Sequence, residues 1–115
     1  MKSFVAVCII VLAFTSCSSV KSTTTIKPMD SFILGNNEHG SFRVKLKNPS
    51  RSDIEVYKAP IAGGKHSSQI IKPNATVNLH VDPNTALFIQ NNSKDTVSVN
   101  LKVTGDVGLS MGYKN

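Results

Sequence analysis

From residue 31 onward, apolar side chains recur at every second position, the spacing of strands and not of helices. Phe42, Val44 and Leu46 alternate with Arg43, Lys45 and Lys47 in the clearest run of the chain. Ile54 and Val56 alternate with Asp53, Glu55 and Tyr57, and Val77, Leu79 and Val81 with Asn78 and His80. Val97, Val99, Leu101 and Val103 alternate with Ser98, Asn100, Lys102 and Thr104, and Leu109, Met111 and Tyr113 repeat the pattern near the end. Residues 86–89 (Ala-Leu-Phe-Ile) are apolar on both faces, which predicts the most buried, central strand. The pattern predicts strands over residues 31–35, 41–48, 52–58, 67–72, 75–82, 85–91, 96–104 and 107–113. No stretch of twelve residues carries an apolar helical stripe.

Turn-forming residues separate these runs: Gly35-Asn36-Asn37, Asn48-Pro49-Ser50, Ala62-Gly63-Gly64, Pro73-Asn74, Asp82-Pro83-Asn84, Asn91-Asn92-Ser93 and Gly105-Asp106. Short alternating strands with turns at close, regular spacing predict an all-β fold, an antiparallel β-sandwich of about seven or eight strands. Pro73-Asn74-Ala75 ahead of one strand, and Asn91-Asn92-Ser93 feeding a long valine-rich one, resemble corners of immunoglobulin-like or fibronectin-like bacterial sandwich domains. The resemblance spans about a third of the chain and implies an immunoglobulin-like or similar topology, with no bearing on activity. The Cys–Trp–Cys core of antibody domains is missing, since the chain has no Trp.

The first residues follow a different pattern. Met1-Lys2-Ser3 is a short basic start, Phe4 to Phe14 is an unbroken apolar run, and Thr15-Ser16-Cys17 follows. Eleven apolar residues are too few to cross a bilayer, which needs about 20. Their flanks fit a secretory signal peptide over residues 1–16. Leu12 to Cys17 resembles the lipobox of bacterial lipoproteins, in which small residues precede an obligatory cysteine. Phe14 stands where leucine is usual, a variation familiar in the Bacteroidota. The resemblance implies cleavage before Cys17 and attachment of fatty acyl chains (palmitate among them) to its sulfur and amine. Two or three chains would make release from a membrane negligible, whereas one gives only marginal binding. Ser18 is not the Asp that marks inner-membrane retention, and no acidic cluster marks surface export. The expected location is therefore the periplasmic side of the outer membrane. Residues 17–28, rich in Ser and Thr without an apolar period, read as lipidated cysteine plus flexible tether, and 29–115 as the sandwich domain. A coil of about ten residues would hold that domain roughly 15–20 Å above the headgroups.

Charge narrows the partners. The formal charge is +6, lowered by one when Lys2 leaves with the leader. A secreted chain meets no genome, so anionic envelope components replace nucleic acid as the expected partners, the plainer reading being a solvated surface whose net charge aids solubility. Arg43, Lys45 and Lys47 on one strand face could track a polyanion, as alternate residues lie about 6.6–6.8 Å apart. The same three charges would also protect an edge strand from aggregation. Asn100 and Lys102 are further candidates, though alternation alone leaves open whether they share a sheet with Arg43.

Chemistry beyond binding finds little support. His39, His66 and His80 lack the i, i+2 or i, i+4 spacing that presents two metal ligands together, and read as unrelated surface histidines. Asp30, Glu38, Asp53, Glu55, Asp82, Asp95 and Asp106 fall mostly at turns, where side-chain to backbone hydrogen bonds account for them. Ala62-Gly63-Gly64-Lys65 resembles a fragment of a phosphate-cradling loop, but a hairpin needs only glycines with positive φ. Cys8 lies within the leader, leaving Cys17 without a disulfide partner. Asp95-Thr96-Val97 resembles the sequon of periplasmic O-glycosylation in the Bacteroidota and implies a glycan on Thr96. These readings lead to a non-enzymatic, membrane-anchored lipoprotein without metal or cofactor. It is expected to bind a protein, a glycan or an anionic envelope component. The alternative is a small inhibitor or chaperone of an envelope enzyme such as a lysozyme.

Overall fold

The computed structural model describes residues 19–115; the leader expected over residues 1–16 and the lipidation expected at Cys17 lie outside the described residues. Nine strands follow in order: β1 (Ser19–Ile26), β2 (Ser31–Leu34), β3 (Phe42–Lys47), β4 (Ile54–Pro60), β5 (His66–Ile71), β6 (Thr76–Val81), β7 (Thr85–Gln90), β8 (Val97–Gly105) and β9 (Met111–Tyr113). They form two antiparallel sheets, β1-β8-β3-β6 and β5-β4-β7-β2-β9. The all-β sandwich expected from the period-two pattern is thus present, with β7 in the middle of its sheet and nearly buried throughout.

The strand order is not the immunoglobulin-like one. β1 pairs with β8, β2 with β7, β3 with β6 and β4 with β5, so the first eight strands make one long hairpin folded back on itself. Alternate rungs of that hairpin fall in opposite sheets, and the pairs β3–β8 and β4–β7 close the roll. This is jelly-roll topology. The hairpin's tip is the β4–β5 turn, where Gly63 and Gly64 adopt φ of 111° and 99°, the left-handed region open to glycine. β9 is an extra strand on the edge beside β2, tied down by Lys114 N–H donating to the Ser31 carbonyl.

The inner faces meet in one core. Phe42, Val44 and Leu46 of β3, Leu79 and Val81 of β6, and Val97, Val99, Leu101 and Val103 of β8 face Phe32, Leu34, Ile54, Val56, Leu87 and Ile89 across the gap. Each such side chain contributes about 1.5–3 kcal/mol by leaving water. With no disulfide among the described residues, this packing carries the fold.

Over Ser19–Ile26, β1 replaces with a paired strand the tether expected for residues 17–28. Val20, Ser22, Thr24 and Ile26 turn inward while Lys21, Thr23 and Thr25 turn outward, so a period of two is present. Ser22 and Thr24 hide it, because polar residues occupy inward positions. Threonine suits the extended backbone. Its hydroxyls also bond across the pair: Thr23 to Asn100 at 3.1 Å and Thr25 to Ser98 at 3.1 Å.

Two asparagines hold two of the corners, β3–β4 and β7–β8, where the chain passes between sheets. Asn48 follows β3 and Asn91 follows β7, and both are wholly buried. Asn91 Nδ2 donates to the carbonyls of Ile26 (3.1 Å), Lys27 (3.1 Å) and Asp95 (2.7 Å). Its Oδ1 accepts from the Ser93 amide and hydroxyl. Asn48 repeats the device, donating to Ser52 and Ile71 and accepting from the Ser50 amide and hydroxyl. The pattern Asn-x-Ser therefore marks both crossings.

Candidate functional site

Alternation sends Arg43, Lys45 and Lys47 of β3 to the outer face of the four-stranded sheet, all exposed. β3 lies between β8 and β6, so these charges do not guard an edge, and the aggregation explanation falls for them. Antiparallel pairing then assembles a wider set. Lys102 of β8 lies opposite Lys45 on one side and opposite Lys21 of β1 on the other. Lys21, Lys102 and Lys45 thus form a row across three adjacent strands, at steps of about 4.8 Å. Arg43 and Lys47 flank Lys45 along β3, about 6.7 Å to either side. Asn100 shares this face, opposite both Lys47 and Thr23.

The outward positions of this sheet carry five cations and no carboxylate. They are Ser19, Lys21, Thr23 and Thr25 on β1, Ser98, Asn100, Lys102 and Thr104 on β8, Arg43, Lys45 and Lys47 on β3, and Thr76, Asn78 and His80 on β6. Among the described residues, the ion pairs Lys65–Glu55 and Lys72–Asp53 lie elsewhere, and Asp82, just past the end of β6, meets His80 at the rim of this face at 3.6 Å. Like charges directly opposite on neighbouring strands destabilise a sheet by roughly 0.2–1 kcal/mol each. The sequence nevertheless sets two such contacts side by side.

The face is shallowly dished. One open concavity of about 580 Å³ is bordered by Lys21, Lys45, Lys47, Asn100 and Lys102. A second, of about 500 Å³, is bordered by Arg43, Lys45, Asn78, His80 and Lys102. Lys45 and Lys102 belong to both. Hydroxyls, amides and ammonium groups are hydrogen-bond donors, the chemistry an anion with more than one charge would need.

The opposite face of the sandwich differs in chemistry. Tyr57 and Phe88 stack at 4.8 Å, Lys65 Nζ lies 4.3 Å from the centre of the Tyr57 ring, and Ile33 stands opposite Phe88. Glu55 accepts from Ser68 at 2.7 Å and from Asn92 at 3.1 Å, which, with Lys65 nearby, holds its carboxyl below the ordinary value of 4.5.

The histidines part company. His39 is buried and not at the surface: its ring nitrogens face the carbonyls of Gly40 and Thr85, and its edge meets the Phe42 ring. It pins the β2–β3 loop to the start of β7. Nearby, Asp106 accepts from the amides of Gly40 (2.7 Å) and Gly108 (2.9 Å), which holds its carboxyl below 3.8. His66 opens β5 and His80 lies on β6 opposite Arg43. Among the described residues, no three His, Cys, Asp or Glu side chains gather as a metal site. Thr96 is exposed immediately before β8, beside a concavity of about 390 Å³ shared with Ser50, Arg51 and Ser52.

No family model matches the chain, and no curated protein matches it. Among solved structures, a mitogen derived from Yersinia pseudotuberculosis superposes on 75% of this chain and 84% of its own, with a TM-score of 0.49 and 19% identity. A likeness at that level says nothing of activity.

The sequence therefore displayed part of the site. Arg43, Lys45 and Lys47 are visible as a triplet, and Lys102 as a separate candidate. Lys21 was concealed within the Ser/Thr stretch, and only pairing to β8 brings it into the row.

Proposed function

We propose that this protein is a non-enzymatic lipoprotein of the bacterial envelope, anchored through Cys17 to the outer membrane and facing the periplasm. Its four-stranded sheet holds an anionic envelope component. The observation that carries the binding role is the lysine row Lys21–Lys102–Lys45 with Arg43 and Lys47 beside it, on four strands whose outward positions hold no carboxylate. A solvated surface made only for solubility would intersperse both signs of charge. Here one sign is concentrated, at some cost to the stability of the sheet.

Binding on such a face is dominated by displaced counterions and the hydrogen bonds of ammonium to phosphate or carboxylate, so it weakens steeply with salt. Residues 19–115 contain both sheets and the packed core between them, so a chain lacking the leader is a suitable reagent. Calorimetric titration of that chain with inorganic polyphosphate should give saturable heat that shrinks as salt is raised. The double substitution Lys45→Glu with Lys102→Glu removes the centre of the row and should weaken binding at least about tenfold, at about 1.4 kcal/mol per decade. Absence of binding by the unsubstituted chain at low salt would refute the anion-binding role.

A further inference from the structure

We propose that the occupant of the lysine face is the anionic headgroup layer of the bilayer that holds the anchor, so that the four-stranded sheet is the membrane-facing side of the sandwich. This rests on the anchored, anion-binding reading above and names its partner.

Chain length supplies the first argument. β1 begins at Ser19, two residues beyond Cys17. Two residues of fully extended chain span at most about 7 Å. A flexible spacer would have let the domain turn any side to the membrane at a distance beyond the reach of its charges. A strand that starts this close holds its own sheet edge at the headgroups.

Position supplies the second. β1 is the edge strand of the lysine-bearing sheet, and Lys21 is its third residue, on the outer face. The row continues inward from that edge through Lys102 and Lys45. The cation nearest the anchor therefore leads a line of cations across the face. Screening at physiological salt acts over about 8 Å, a distance comparable to the gap that two residues can span.

Charge complementarity supplies the third. A sheet face is broad and shallow, and the two concavities that share Lys45 and Lys102 are open. Phosphates in a headgroup layer form a surface of the same kind, and each lysine brought to an anionic surface strengthens attachment by about fivefold. The other face bears Glu55 and the Tyr57–Phe88 stack, with no comparable row.

The test uses the lipidated protein purified from its host. It is reconstituted into vesicles of phosphatidylcholine alone or with about 30 mol % phosphatidylglycerol. Amine acetylation is then followed residue by residue by mass spectrometry. Lys21, Lys45 and Lys102 should label at least about fivefold more slowly on the anionic vesicles, with the difference lost near 1 M salt, while Lys65 and Lys94 label alike on both. The Lys45→Glu, Lys102→Glu variant remains anchored and should lose the protection of Lys47, which lies on β3, two strands in from the anchored edge. Equal labelling of Lys45 and Lys102 on the two vesicles overturns the inference. If the leaderless chain still binds polyphosphate in that case, the face serves a soluble or polymeric anion, and only the headgroup assignment falls. A protein that carries no lipid fails at reconstitution and removes the anchor and this inference together.

Discussion

Asn91 shows how much of this fold depends on single polar side chains. Its amide hydrogens serve three backbone carbonyls from two different segments, the bond to Ile26 buried and those to Lys27 and Asp95 partly so. Asn91→Ala would strand those groups at about 1–3 kcal/mol each. Thermal unfolding of that variant should begin more than about 10 °C lower, whereas exposed Asn78→Ala should shift by no more than a few degrees. Carboxylates give a second prediction at this scale. Glu55 is held below its ordinary value first by the Ser68 hydroxyl, and Asp106 first by the Gly40 amide. Both contribute stability that is fully present above the unfolded values of 4.5 and 3.8, and both lose it as pH falls through the lower, folded-state values. The melting temperature should therefore change little from about pH 7 to 5 and fall below about pH 4.5, and Glu55→Gln should flatten the fall. A melting temperature that rises on acidification to that range would contradict the assignment.

Among the strands, legibility followed inward polarity. β3, β6 and β8 were plain because apolar residues occupy nearly every inward position. β1 resembles a tether in sequence because Ser22 and Thr24 take inward places that are apolar in the other strands of its sheet. Hydrogen exchange separates the two descriptions of residues 19–26. As a strand paired along its length with β8, its amides that donate to β8 should exchange orders of magnitude more slowly than a coil, and a tether would exchange at coil rates throughout. Strand order was not legible either, for a different reason. Alternation assigns a face to each residue and no neighbour to each strand, while the pairing here joins positions as distant as Ser19 and Thr104. The candidate site inherits that gap: its triplet lies on one strand, but its row exists only through pairing across three.

For the molecule as a whole, topology and charge converge on one side. Rolling the chain as a folded hairpin brings the first strand to the edge of the sheet that carries Arg43, Lys45, Lys47 and Lys102, and adds Lys21 to them. His39 and Asp106 meanwhile fasten the loops at the end where β1 starts, since Ser19 pairs with Thr104 and Gly105 lies against Ser41 and Phe42. The sandwich thus has two unlike faces, one cationic and one bearing the Tyr57–Phe88 stack. The covalent attachment proposed just ahead of β1 would give those faces an orientation at a membrane. The most direct measurement is the mass of the N-terminal peptide from protein extracted out of its native membranes. The account predicts a chain that starts at Cys17 with a diacylglyceryl thioether on its sulfur. A free thiol at Cys17, or an intact leader beginning at Met1, would contradict it.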